Sequence, residues 1–325
     1  MMDIDFSLNW AYAYGEPQVK ADFRCVPEDF FVDELLDFEF TGSGEHVVLH
    51  LQKRGDNTDW LARQIAKLAG VGPADVGYCG LKDRHAVTRQ WFSVYLPKGD
   101  EPDWQQLNSE SVQLLRVDRH CRKLRRGSHL GNRFELVLRN LDGRIETLSQ
   151  RLSVIAEQGV PNYFGEQRFG REAGNLELAN RLLVEGQKIN NRQRRTMAMS
   201  AARSYLFNSV LSRRVQEKTW DTELEGDPED FSGPLWGRGR PLSQGVCLEL
   251  EEAVLAPMAA WRDGMEHVGL KQERRGLRLL PDKLNWQLDD EQLQLSFALP
   301  PGTYATAILR ELCYLRDVSQ AQVVL

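Results

Sequence analysis

The sequence predicts an α/β (α+β) protein in which one domain, made from both ends of the chain, is interrupted by a more helical and basic insert. Three observations predict it. Short strand-like and helix-like runs alternate over roughly the first 155 residues, helical periodicity with dense arginine replaces them over 159–218, and strand signals return at Gln292. At 325 residues the chain has room for two domains, or for one large domain carrying an insertion. The expected boundaries are 1–158 and 280–325 for the two-ended domain and 159–279 for the insert.

The elements follow in order. His46–Leu51 is a β-type run. Asn57–Gly70 carries the marks of a helix: Thr58 as N-cap, Leu61, Ile65 and Leu68 on one face, and Gly70 as stop. Gln90–Leu96 alternates, with Phe92, Val94 and Leu96 on one side, and Pro97 and Gly99 close it. Phe134–Leu138 alternates again, so both read as strands. Ile145–Ala156 is helical and leads into the turn signal Val160-Pro161-Asn162. A Gly/Pro-rich acidic stretch, Glu225–Gly245, follows the arginine-rich helical region. Gln292–Leu299 then places Leu293, Leu295, Phe297 and Leu299 on one face. Pro300-Pro301-Gly302 turns the chain, and Tyr304–Leu315 reads as a closing helix.

Composition is that of an ordinary globular chain, 42% hydrophobic and 27% charged. No apolar run approaches the roughly 18 residues that span a bilayer. Met1–Trp10 has two acids and no basic n-region, so neither a membrane anchor nor a secretory signal is expected. The five cysteines (Cys25, Cys79, Cys121, Cys247, Cys313) are far apart and form no CxxC pair. That argues against a disulfide framework or a zinc knuckle and suits a reducing, cytoplasmic setting.

The net charge is −6, but its distribution matters more than its sum. Arg116–Arg139 holds eight Lys/Arg against two acids, and Gly186–Lys218 holds eight against one. Two acidic blocks, Glu28–Glu39 and Asp221–Asp230, carry six acids each and offset them. A bipolar chain can present a basic face to phosphates while remaining acidic overall. Single runs of this kind also occur as plain solvated surface; two Arg-rich runs favour RNA.

The chemistry concentrates in Gly77–Gln90, which sets two glycines, a Thr and a cluster of charged side chains between apolar runs. Asp83 sits there beside Lys82, Arg84 and His85. Neighbouring cations favour an ionised carboxylate, and an ionised, positioned Asp suits covalent catalysis. A surface ion-pair loop would have the same composition.

Gly80-x-Lys82-Asp83-x-x-Ala86-x-Thr88-x-Gln90 resembles the signature of the TruD family of tRNA pseudouridine synthases. Four further motifs accompany it in the family's order. Pro27-Glu28-Asp29-Phe30-x-Val32 resembles the N-terminal motif, and Gly131-Asn132-x-Phe134 the second active-site motif. Asn162-Tyr163-Phe164-Gly165-x-Gln167-Arg168-Phe169-Gly170 resembles the entrance to the insertion domain. Leu299-Pro300-x-Gly302-x-Tyr304-Ala305-Thr306 with Arg310-Glu311-Leu312 resembles the C-terminal motif.

The resemblance implies a pseudouridine-synthase catalytic domain with a central mixed or antiparallel sheet, interrupted by a mostly helical TRUD insertion domain. It implies Asp83 as nucleophile and uridine 13 in the D arm of tRNA as substrate. Isomerising uridine conserves every atom, so no cofactor, metal or nucleotide is expected, and the six histidines show no ligand pattern. A carboxylate assists glycosidic cleavage covalently in retaining glycosidases. Phe30, Phe134 and Tyr304 would wall the uracil pocket, and Asn132 would hydrogen-bond beside Asp83; each aromatic also fits a core position. Arg24 stands where the family usually has Lys, which keeps the charge but not a proton-transfer role near neutral pH. Arg168, with Arg122, Arg125, Arg192, Arg194 and Arg195 of the basic runs, would grip the tRNA. The chain is expected to act as a monomer, with tRNA as its partner. Attack on ribose C1′, attack on the uracil ring and ribose deprotonation by Asp83 stay open. So do two rivals, a non-catalytic RNA-binding protein and a carboxylate-dependent nucleoside hydrolase.

Overall fold

The computed structural model describes residues 6–97, 101–229 and 231–319. The chain falls into two compact units. Gln18–Leu152, Pro281–Gly302 and Cys313–Leu325 form one; Met1–Pro17, Ser153–Leu280 and Thr303–Leu312 form the other. No helix among the described residues is long and apolar enough to cross a membrane.

The first unit is built on a ten-stranded mixed sheet. Its N-terminal strands are β1 (Val19–Phe23), β2 (Phe30–Leu35), β3 (His46–Arg54), β4 (Val76–Tyr78), β5 (Val87–Tyr95), β6 (Val112–His120) and β7 (Gly131–Gly143). From one edge the order runs Asp282–Leu288, Gln292–Leu299, β7, β2, β5, β3, β6. β4 pairs with the far end of β5, while β1 pairs with β7 and with the strand Tyr314–Asp317. β2 with β5, and β1 with Tyr314–Asp317, are parallel; the remaining pairs are antiparallel.

Register decides what shares a face, because residues directly opposite one another point the same way. Lys53 lies opposite Thr88, Thr88 opposite Val32, Val32 opposite Phe134, and Phe134 opposite Phe297. Helix α1 (Thr58–Ala69) packs on this same face, burying Leu61 and Ile65 with Leu49, Leu51 and Phe92. Gly70 ends α1 in the left-handed region, φ 66°, which glycine adopts without a Cβ clash. Gly131 is fixed by close approach: a Cβ there would stand 2.3 Å from the Leu299 carbonyl oxygen.

In the second unit the helices are the C-terminal part of α2 (Thr147–Gln158), then α3 (Gly174–Leu183), α4 (Arg192–Gln216), α5 (Gly245–Leu255), α6 (Ala259–Glu266) and α7 (Ala305–Leu312). α4 is its axis. Ala198, Ala202, Leu206 and Val210 are buried along it, in one cluster with Phe169, Phe207 and Trp261. The Arg214 and Arg274 side chains are also buried; they share the buried Asp227 carboxylate, and Arg274 pairs with Glu251 as well.

Several expectations are revised. Nothing in the sequence separates the chain ends from the sheet, yet Met1–Pro17 and Thr303–Leu312 group with the middle segment. Aromatic packing is the cause: Trp10 meets Tyr205 at 5.2 Å and stacks on Tyr163 at 6.2 Å, while Arg310 donates to the Trp10 and Ala11 carbonyls. Asn57, not Thr58, is the N-cap of α1. Val160–Pro161 is a short strand paired with Arg278–Leu279 rather than a turn. The closing helix stops at Leu312, and Tyr314–Asp317 is strand because β1 offers it an edge. Gly99, read as closing a strand, and Asp230, at the end of an acidic block, lie outside the described residues.

Candidate active site

Asp83 lies in the loop between β4 and β5, and main-chain bonds fix it on the α1 side of the sheet. Gln90 Nε2 donates to the Gly80 carbonyl, and the Lys82 amide donates to Thr58 Oγ1 at 3.1 Å. Thr58 Oγ1 donates in turn to Gln90 Oε1 at 3.1 Å, so the hydroxyl expected to cap α1 ties the loop to it instead. Lys53 Nζ donates to the Asp83 carbonyl at 3.0 Å and to the Asp56 carbonyl at 2.7 Å. Arg84 Nε donates to the Gly55 carbonyl at 3.2 Å.

The Asp83 side chain is 40% exposed and faces Arg24, whose Nη2 lies 3.3 Å from Oδ2. Arg24 itself is buried. Its guanidinium sits 4.7 Å from the Phe23 ring centroid and 4.5 Å from that of Phe30, and Nη1 reaches Asp317 Oδ2 at 3.4 Å. Stacked rings and two carboxylates thus hold it in one orientation. The cations adjacent in sequence do not make this pair. Lys82 turns to the buried Glu34 carboxylate, 2.5 Å away, and Arg84 bonds the main chain.

Beneath the pair runs a row of rings: Phe23 to Phe30 at 5.4 Å, Phe30 to Phe134 at 6.1 Å, Phe134 to Phe297 at 5.5 Å. Phe30 and Phe134 are buried, Phe134 the less completely at 7% exposure. Asn132 shares their face, opposite Glu34. Its Nδ2 lies 3.4 Å from His129 Nε2, and its Oδ1 is buried with no partner among the described residues. A buried acceptor left open in this way is suited to a donor on a ligand.

Tyr304 belongs to the other unit, where Arg168 donates to its hydroxyl and to Ser200 Oγ. Arg122 and Arg125 are exposed between β6 and β7, in the unit that holds Asp83. Arg192, Arg194 and Arg195 are exposed in the first turn of α4, which contains no acid and is capped by Asn191. Arg195 and Lys188 line a cavity of about 420 Å³ with Gln187 and Asn190.

Burial lowers the Lys53 ammonium to about 8, against the opposing pull of Asp83 and Asp56. Burial, helped by the charge of Lys82, lowers His129 to about 4. Burial raises the Glu34 carboxyl, with Lys82 opposing. Among the described residues, Glu34, Cys79 and His129 bring possible metal-ligand atoms within 4.8 Å of one another. Glu34 is already engaged by Lys82 Nζ and the Trp91 amide, and burial holds the Cys79 thiol up at about 11. Cys79 Sγ and His129 Nε2 have partners of their own in Ser128 Oγ and Asn132 Nδ2.

Sequence reading missed Lys53, Glu34 and Asp317. The first two carried a signal, a charge at an inward position of an alternating strand. Asp317 carried none.

Comparison with known proteins adds independent findings. The family described as tRNA pseudouridine synthase D (TruD) matches residues 9–190 and 229–312. The chain is 50% identical to a protein of Cellvibrio japonicus named tRNA pseudouridine synthase D, over 96% of this chain and 95% of that one. It is 48% identical to a protein of the same name from Methylococcus capsulatus, over 92% and 93%. A crystal structure of a TruD chain from Methanosarcina mazei superposes with a TM-score of 0.71 at 20% identity, covering 95% of this chain and 97% of that one, which shows a shared fold.

Proposed function

Since the chain belongs to the TruD family of tRNA pseudouridine synthases, we propose that it isomerises uridine 13 in the tRNA D arm to pseudouridine, with Asp83 as nucleophile and without a cofactor. The observation that carries this reading is the exposed Asp83 carboxylate set against a buried Arg24 that rings and Asp317 hold still.

The target base must first leave its stack, which costs a few kcal/mol. The Phe134 ring and the open Asn132 Oδ1 give it an apolar wall and an acceptor. Asp83 then assists cleavage of the bond between uracil N1 and ribose C1′, as a carboxylate does in retaining glycosidases. The uracil turns, C5 bonds to C1′, and the C5 proton is released while N1 takes one up, so atoms balance without redox or a donor. Arg24 acts on the carboxylate electrostatically, from 3.3 Å. The exposed arginines of α4, with Arg122, Arg125 and Arg168, serve the phosphates.

Asp83→Asn tests the assignment. The amide is nearly isosteric but a poor nucleophile, so the variant should fold and bind unmodified tRNA yet form no pseudouridine. Position-resolved mapping of the product RNA reads both the site and the activity. Near-wild-type turnover, or pseudouridine at a position other than 13 only, would overturn the corresponding part of the reading.

A further inference from the structure

The charge under the Asp83 loop has no evident structural reason to be a charge. Lys53 is 1% exposed at an inward position of β3, in line with Val47, Leu49 and Leu51. Among the described residues no carboxylate lies within ion-pair distance of Nζ, whose partners are two main-chain carbonyls, those of Asp56 and Asp83. A neutral donor could satisfy two carbonyls, and an unpaired buried ammonium is costly. What the charge adds is potential, strong in a low-dielectric setting, directed at the residue whose carbonyl it holds. Burial lowers this ammonium to about 8, so it stays largely charged at neutral pH.

Building on the reading of Asp83 as nucleophile, we propose that Lys53 is a positioning residue for the reaction: it clamps the Asp83 main chain and steadies the carboxylate from below while Arg24 holds it from the side. The two cations act on different parts of one residue, Lys53 on the peptide and Arg24 on the side chain. The Gly55 amide donates to the Ala86 carbonyl at 3.3 Å, so the segment after β3 and the catalytic loop are laced together at the point where Nζ reaches both.

The test uses the full chain and saturating unmodified tRNA. Lys53→Met should fold and bind tRNA within about twofold of wild type, while its single-turnover rate falls about 100-fold, the effect of misplacing a reacting group by roughly 1 Å. Lys53→Arg, which keeps charge and donors, should recover at least about tenfold of that loss. A folded Lys53→Met with a rate within threefold of wild type would sink the proposal, as would a fall in rate matched by an equal fall in tRNA binding.

Should Lys53→Met not fold, the wild type itself gives the answer. The groups facing Lys53 are Asp56, Asp83 and Lys82. Above pH about 8 the single-turnover rate should drop as the ammonium discharges, with tRNA affinity at fixed salt unchanged. A rate flat to pH 9.5 refutes the role of the charge. Asp83→Asn run alongside separates the two readings: if it is inactive while Lys53→Met is active, only the role of Lys53 fails.

Discussion

Arg24 holds φ at 59°, in the left-handed region where a side chain normally costs energy. Strain of this kind, about 1–3 kcal/mol, persists where surrounding interactions over-determine it. Here two ring stacks and two carboxylates do so. Lys53 carries a different cost. Its folded value is lowered to about 8 from 10.5 in the unfolded chain. Between those values the unfolded chain binds more proton, so stability contributed at this position rises with pH. At 1.36 kcal/mol per unit, wild type should gain about 3 kcal/mol on Lys53→Met between pH 7 and pH 10.5. Denaturant unfolding of both proteins at the two pH values measures it. A stability difference that does not change with pH would mean that the ammonium is not desolvated.

Helix α1 and the Asp83 loop are tied through the Thr58 hydroxyl. Thr58→Val keeps the shape but strands the Lys82 amide and one lone pair of Gln90 Oε1, so a stability loss of about 1–3 kcal/mol is expected. Single-turnover activity should drop further than stability explains, because Lys82 directly precedes Asp83, the proposed nucleophile. Activity equal to wild type in the folded fraction would detach α1 from the site. Much of this was legible in sequence. Gln292–Leu299 alternates cleanly because one face is core, and Gly70 marks the end of α1 because only glycine takes that turn freely. Tyr314–Asp317 was illegible: four residues of mixed exposure become strand only through a partner at the other end of the chain. In the same way Asp83 was visible in its motif, but its ion-pair partner was not. Lys82, Arg84 and His85 are nearest in sequence, and the fold alone brings Arg24 nearer in space.

Across the molecule, the proposed function divides the cations by burial. Arg24 and Lys53 are buried at the loop; Arg192, Arg194 and Arg195 are exposed at the start of α4. Replacing those three with Ala should weaken tRNA binding and flatten the dependence of log affinity on log salt by up to about 3, near 0.9 for each phosphate no longer neutralised. Single-turnover rate at saturating tRNA should change little. An unaltered slope would return these arginines to plain solvated surface. The strand Tyr314–Asp317 has a consequence of its own. It pairs with Val19–Phe23, and its Asp317 holds Arg24. A ribosome delivers Asp83 early and that aspartate much later. In the nascent chain the Arg24 that faces Asp83 therefore lacks one of its two carboxylate partners until synthesis has passed Asp317. Pairings of such long range also close slowly. A product that stops short of this strand keeps Asp83 and Arg24 but lacks the second carboxylate that holds the guanidinium.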